Sequence, residues 1–414
     1  MLGLKKTLNI LLLIGIIIFQ LMPPAWGAEI DINGKTAILI DQETGRVLYE
    51  KDAHLKREPA STTKILTALI ALEKGNLSDM VSVSEKATKA EGTEVWLVEG
   101  EEHTLEDFIY AMMLNSANDA AVAVAEHVGG SVEGFARLMN ERAAQLGLKG
   151  SHFTNPHGLT APDHYTTVYD MAIIAREAMK IPKFRDIIIT QTRPWHGEDW
   201  DSKLRNINPM LSYYPGSTGI KTGYTSQAGY CIVASATRNG KSFIAVVYGS
   251  DNKAIWRDAQ KLLDYGFNNY DHVSLVKKGE EIATLDLAVG DKGETKGLKL
   301  ISQEGFSYLV GGDENLLPER KLFLENLQLP IEKDGSMGHI SFMLDGKEVA
   351  RVPVVAGGSI KKPVTWMEWW VRISWVLVGF LFLRIFIRYM QKRRKRRKIY
   401  TSYRRRGSRR VGRY

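Results

Sequence analysis

The 414-residue chain has one cysteine, Cys231, so no internal disulfide can brace it. Cys231 lies in the apolar stretch GYCIVASA and reads as a small buried hydrophobe. None of its neighbours is a cation that would lower a thiol's pKa, which argues against a catalytic cysteine. Acidic residues are missing from 391–414, a stretch with thirteen Lys or Arg; setting these aside takes the net charge from +8 to −5. The basicity therefore belongs to the tail, and a nucleic-acid-binding surface on the folded part is unsupported. A metal-ligand spacing is also lacking. His152, His157 and His164 cluster, but intervals of five and seven fit no usual metal set, so they read as loop-polar residues. No metal and no cofactor are expected. What remains is an ordinary globular composition, 44% hydrophobic and 25% charged, long enough for two or three units.

The N-terminus carries a targeting signal. Lys5 and Lys6 precede the apolar run LLLIGIIIF, and PPAWGA places the small residues Ala25 and Gly27 at a cleavage site. Residues 1–27 read as a secretory signal peptide. Next, TAILID and RVLYEK flank a Gly-containing turn and predict a hairpin. From about 61 to 190 the pattern is helical, with cap residues Thr104 and Ser131 opening two amphipathic runs. NPHGLTAPDHYTT is loop. Strand chemistry returns after Gly219, where AGYCIVASAT and KSFIAVVYGS are joined through Asn239-Gly240, a tight-turn signal. A helix, KAIWRDAQKLLDYGF, follows. Strands at both ends with helices inserted between them predict an α+β domain with an antiparallel sheet over 28–271.

Residues 272–360 alternate strand-like segments with turns and predict a small all-β domain. After the linker AGGSIKKP, residues 364–390 are apolar and Trp-rich at one end, which predicts a membrane-spanning or interface-lying anchor helix. The basic tail 391–414 favours spanning, with that tail in the cytoplasm and the exported domain outside.

The chemistry centres on EPASTTKILTAL, where Ser61 and Lys64 share a helix face one turn apart. By itself an S-x-x-K pair is weak, since Ser61 as a helix cap and Lys64 in solvent would account for it. Two later motifs strengthen it. LNSANDAA places Ser116 and Asn118 55 and 57 residues after Ser61, and GIKTGYT places Lys221, Thr222 and Gly223 about a hundred beyond. In this order and spacing, the chain resembles the penicillin-binding proteins and serine β-lactamases. Within them it is similar to D-alanyl-D-alanine carboxypeptidases of low molecular mass; PASTTK, NPHGL, GIKTGYT and CIVASA carry the likeness.

The resemblance implies a β-lactamase/transpeptidase-like catalytic domain, followed by a β-rich domain and a C-terminal membrane helix. It implies removal of the terminal D-Ala from peptidoglycan stem pentapeptides through an acyl-enzyme on Ser61, with β-lactams as covalent inhibitors. Chemically, a serine hydroxyl needs a base, and a neutral Lys64 within hydrogen-bond reach would serve. Lys221 would supply the nearby positive charge that helps keep it neutral. Ser116 can relay a proton between the two lysines, and Asn118 can hold a substrate amide. Lys221 and Thr222 can meet a terminal carboxylate, and Gly223 lets the strand approach closely. By resemblance the N–H groups of Ser61 and Tyr224 form the oxyanion hole. The middle motif reads S-A-N, not S-D-N, and no convincing E-x-x-x-N pair lies between it and K-T-G. Both departures argue against a class A β-lactamase and for an enzyme that β-lactams trap. A penicillin-binding endopeptidase, another β-lactamase, or a non-catalytic wall-binding protein remain alternatives, though the intact Ser61, Lys64, Ser116 and Lys221 set speaks against the last.

Overall fold

A computed structural model of the protein describes residues 30–198, 201–289, 294–311, 317–325, 327–344, 346–362 and 366–407. The signal peptide expected over 1–27 lies outside these residues. The described chain forms two compact units, 30–272 together with 309–311, and 273–308 together with 317–407.

The first unit is built on a five-stranded antiparallel sheet. Its strands are β1 (Thr36–Asp41) and β2 (Val47–Lys51), then, after the helices, β7 (Ser217–Thr225), β8 (Gly229–Arg238) and β9 (Lys241–Ser250). Their order is β2-β1-β9-β8-β7, so the first strand pairs with the last and β7 lies at an edge. The sheet is covered on both faces, and TAILID is buried at every position. Its side chains alternate between two cores. Ile38 and Ile40 of β1, Cys231 and Val233 of β8, and Val246 and Tyr248 of β9 face the inserted helices. Ala37, Leu39, Ile232, Ala234, Phe243 and Val247 face the other way, with Leu262 and Leu263 of the late helix Ala254–Asn269. A strand buried on both faces reads as a continuous apolar run, as these do. Asn239 and Gly240, at φ 50° and 78°, form the two-residue turn that their sequence predicts.

The inserted helices are α1 (Lys64–Lys74), α2 (Leu105–Leu114), α3 (Asn118–Gly129), α4 (Val132–Gln145), α5 (Val168–Ala178) and α6 (Pro182–Ile189). In α1, every residue from Lys64 to Ala71 is buried, which makes it the central helix of the layer. The predicted caps are present: Thr104 accepts from Asp107 N and Ser131 from Gly134 N. Each such cap contributes about 1 kcal/mol.

Two short hairpins lie within the insertion, β3 (Met80–Ser82) with β4 (Glu102–Thr104), and β5 (Thr192–His196) with β6 (Asp201–Arg205). The expectation that strands return only after Gly219 missed both; the first is a pair of three-residue strands inside the stretch read as helical, and the second is the longer. Its segments carry Pro194 and several charges, and only Trp195 and Leu204 are buried, so the apolar alternation is too sparse to register. Strand β7 also starts before Gly219, so K-T-G sits inside the strand instead of opening it.

In sequence, β10 (Tyr270–Val276) and β13 (Phe306–Gly311) each have residues in both units, and the second unit holds β11 (Glu281–Ala288), β12 (Thr295–Ser302), β14 (Glu319–Leu324), β15 (Ser336–Leu344) and β16 (Lys347–Ala356). A five-stranded antiparallel sheet of order β11-β12-β16-β15-β14 buries Leu298, Leu300, Ile340, Phe342, Val352 and Val354. A single helix, Trp366–Gly407, closes the described chain. Its stretch Trp366–Arg394 is 29 residues with no burial and a mean hydropathy of 1.9 in its most apolar window. At ~1.5 Å per residue it is about 43 Å long, more than the ~30 Å of a hydrocarbon core.

Candidate active site

The segment before α1 makes a turn of 3-10 helix, Ala60–Thr63, and α1 proper begins at Lys64. Ser61 is therefore not the cap of an α-helix. Ala60 enters the turn at φ 47°, a left-handed conformation that costs an alanine energy and requires support from its surroundings. The turn leaves Ser61 half-buried at the surface and Lys64 wholly buried beneath it.

Lys64 Nζ lies 3.0 Å from Ser61 Oγ, 2.6 Å from Asn118 Oδ1 and 2.9 Å from the His157 carbonyl. Asn118, at the start of α3, is itself fixed: its Nδ2 donates to Glu91 O at 2.6 Å and its N–H to Thr93 O at 2.7 Å. The His157 carbonyl comes from the NPHGL loop. Thr67 Oγ1 donates to Pro156 O at 2.6 Å, and Gly158 N donates to Asn155 Oδ1 at 2.7 Å, which pin this loop under the nucleophile turn. Gly158 has φ 90°, and a Cβ there would run into the Ala60 carbonyl, so only glycine fits.

Two causes hold the Lys64 ammonium well below its ordinary pKa: first burial, then the charge of Lys221, with Asp119 opposing. Lys221, buried on β7, is itself lowered by burial to about 7. Its Nζ donates to Thr222 O at 3.1 Å. The partners of Lys64 decide the direction of its lone pair. Asn118 Oδ1 and the His157 carbonyl can only accept, so they take two N–H groups. A neutral amine then has its lone pair left for the Ser61 hydroxyl.

The histidines of this region are structural neighbours. Burial lowers His157 to about 3, helped by Lys64, and His164 to about 4. Thr154 N donates to His164 Nδ1 at 3.1 Å, so the ring's proton is on Nε2, which donates to Thr63 Oγ1 at 3.0 Å. His152 Nδ1 contacts Asp163 O at 2.7 Å.

Strand β7 passes beside the nucleophile turn. Gly223 is so close that a Cβ on it would lie 2.6 Å from Ser61 N and 3.0 Å from Ala60 Cβ. Thr222 is half-buried, and Tyr224 is exposed with its ring 4.5 Å from that of Tyr230. Ser116 is buried between α2 and α3 at φ 65°, and its hydroxyl has no hydrogen-bond partner among the described residues. The expected bridge from Ser116 to the two lysines is thus not drawn; the hydrogens of Lys64 are taken by Asn118 and His157. Sequence reasoning missed the His157 carbonyl, Glu91 and Asp119, whose buried carboxylate accepts from Val95, Leu97 and Ala120. A backbone carbonyl leaves no trace in residue identity. Asp119 does have one, adjacent to Asn118 in the motif.

A serine paired with a buried lysine, flanked by S-x-N and by a K-T-G edge strand, defines the class of penicillin-binding serine hydrolases. The model of the D-alanyl-D-alanine carboxypeptidase family matches residues 23–252, and that of the penicillin-binding protein 5 C-terminal domain matches 270–362. The chain belongs to this carboxypeptidase family of serine peptidases. It is 38% identical over 378 residues to the D-alanyl-D-alanine carboxypeptidase DacF of Bacillus subtilis, covering 86% of this chain and 95% of that one. Among solved structures, penicillin-binding protein 5 from Haemophilus influenzae superposes with a TM-score of 0.64 at 30% identity, over 83% of this chain and all of that one. The Streptomyces K15 DD-transpeptidase superposes with a TM-score of 0.55 at 32% identity, over 57% of this chain and 98% of that one.

Proposed function

We propose that the protein is a membrane-anchored D-Ala-D-Ala carboxypeptidase that trims peptidoglycan stem pentapeptides through an acyl-enzyme on Ser61. The observation that carries this is the buried amine of Lys64, 3.0 Å from Ser61 Oγ and held by two acceptors. Neutral Lys64 takes the hydroxyl proton as Ser61 Oγ attacks the carbonyl of the penultimate D-Ala. The negative charge that develops on the carbonyl oxygen is met by the N–H groups of Ser61 and Tyr224. The C–N bond breaks, free D-Ala leaves with the proton, and water then cleaves the ester. Lys221 and Thr222 receive the terminal carboxylate; for Ser116 to pass the proton toward the leaving amine, its hydroxyl must first turn to Lys64, whose contacts here are Ser61, Asn118 and the His157 carbonyl. The first task of Asn118 is to orient Lys64, because both ends of its amide are engaged. To hold a substrate amide as well, Nδ2 must leave the Glu91 carbonyl.

The exported catalytic unit lies outside the cell membrane, the helix from Trp366 spans it, and the basic tail is cytoplasmic. The helix's length and the thirteen positive charges that follow support this orientation. Product analysis on a defined pentapeptide ending in D-Ala-D-Ala, beside a cross-linked dimer, tests the activity. Tetrapeptide and free D-Ala are expected from the pentapeptide, and Ser61→Ala abolishes both that release and labelling by penicillin. Cleavage of the dimer without D-Ala release would instead identify an endopeptidase.

A further inference from the structure

The nucleophile turn rests on a row of side chains that cross the sheet. Gly223 of β7 pairs with Cys231 of β8, and the irregularity between Tyr230 and Ile232 brings Cys231 next to Tyr248 of β9. Cys231 and Tyr248 face the helical core. Gly223 meets Ser61 N, and Cys231 Sγ lies 3.9 Å from Glu58 O. Tyr248, wholly buried, places its hydroxyl 2.7 Å from Thr62 Oγ1. Thr62 Oγ1 lies in turn 2.7 Å from Pro59 O.

The donors in this chain are fixed by chemistry. The Pro59 carbonyl can only accept, so Thr62 spends its single hydrogen there. Tyr248 must then donate to Thr62. The result is a one-way chain from the sheet's interior, through Thr62, to the carbonyl preceding the left-handed residue Ala60. Burial pushes the Tyr248 phenol well above its usual range, so it keeps its proton and remains a donor. Nothing in the proton transfer above uses Tyr248 or Thr62.

We propose that Tyr248 is a positioning residue for the nucleophile: through the Thr62 hydroxyl, it fixes the turn that presents Ser61 to Lys64. This rests on Ser61 being the nucleophile. A directed hydrogen bond of this kind changes an equilibrium by about threefold to tenfold. Its loss lets the Ser61 hydroxyl leave the Lys64 lone pair for part of the time, which lowers the acylation step and leaves the encounter with the ligand untouched.

The test is stopped-flow acylation by a fluorescent penicillin in the full-length protein in detergent, resolved into a binding constant and an acylation rate constant. Tyr248→Phe should lower the acylation rate constant by about threefold to tenfold with the binding constant unchanged. Thr62→Val should lower it at least as far, and the double variant no further than Thr62→Val alone. Thr62→Ser, which keeps the hydroxyl, should retain the native rate. All rates are read well below each variant's melting temperature. The idea is overturned if Tyr248→Phe acylates at the native rate while only melting earlier, or if the losses in the double variant multiply. Absence of covalent labelling in the native protein would instead overturn the serine-peptidase reading.

Discussion

Replacing Gly223 by alanine would place one methyl group at the closest approach between sheet and nucleophile. The new Cβ would lie 2.6 Å from Ser61 N, 3.0 Å from Ala60 Cβ and 3.2 Å from Thr62 N, where ordinary contact begins at 3.4 Å. None of these atoms is the free end of a flexible side chain. The turn cannot yield, because Ala60 is already left-handed and the Gly158 loop is packed behind it. Strand β7 must therefore withdraw against its pairing with β8. Overpacking of this kind costs about 1–3 kcal/mol. At about 2–4 °C per kcal/mol for a domain of this size, the melting temperature falls by several degrees. The larger effect is chemical. The methyl group covers the Ser61 N–H, and losing one oxyanion donor slows acyl transfer by about 10²–10³. Acylation by fluorescent penicillin under pseudo-first-order conditions, with a thermal melt of the same sample, measures both. A variant that acylates within a factor of about three of native would refute the claim that this contact shapes the oxyanion site.

Other outcomes follow from the same geometry. Lys64→Arg keeps the charge but cannot give a neutral amine, so acylation should fall by about 10²–10⁴ in the same assay. Hydrolysis of D-Ala-D-Ala peptides should be bell-shaped in pH. Its acid limb is the deprotonation of Lys64; its alkaline limb is the loss of charge on Lys221 above about 7. In Lys221→Met the acid limb should move to higher pH, since one cause of the lowered Lys64 pKa is gone, and a static limb would contradict the coupling. Lys221 also has a stability signature. Unfolded, it holds its proton up to 10.5, but folded only to about 7, so native stability rises with pH across that window. Below it the buried ammonium costs the fold on the order of 5 kcal/mol, and Lys221→Met should melt above native at pH ~6. Finally, S-A-N without E-x-x-x-N implies slow deacylation. Mass spectrometry should find the penicilloyl adduct lasting minutes or longer, and rapid turnover of penicillin would favour a β-lactamase.

Much of the site was legible in the sequence because its parts repeat a local geometry. Ser61 and Lys64 are one turn apart wherever that segment is helical, and Gly223 marks a strand that must come close. The two hydrophobic runs β8 and β9, with Asn239-Gly240 between them, could hardly be read otherwise. What stayed hidden depends on tertiary placement. Tyr248 is one apolar letter in KSFIAVVYGS, and its hydroxyl acquires a role only when β9 brings it beneath a residue 186 positions earlier. The His157 carbonyl belongs to the backbone, and any residue could have supplied it. Asn118 was read as a group that can hold a substrate amide; that its Oδ1 also fixes Lys64 was hidden, because a buried amine's need for acceptors shows only once the fold has buried it. The hairpin β5–β6 was missed because it buries too little to leave a period.

The pairing of β1 with β9 also dictates when the enzyme can exist. Thr36 lies opposite Tyr248 and Asp41 opposite Phe243, so the central sheet closes only after some two hundred intervening residues are available. A chain still emerging from the ribosome has Ser61 and Lys64, but not the strand that carries Lys221 and Gly223, nor the one that carries Tyr248. It can form helical segments, but it has no sheet to lay them on. Loop closure over such a distance is slow compared with forming a helix. Late closure postpones the assembly of Ser61, Lys64 and Lys221 into one site until the whole first unit is available.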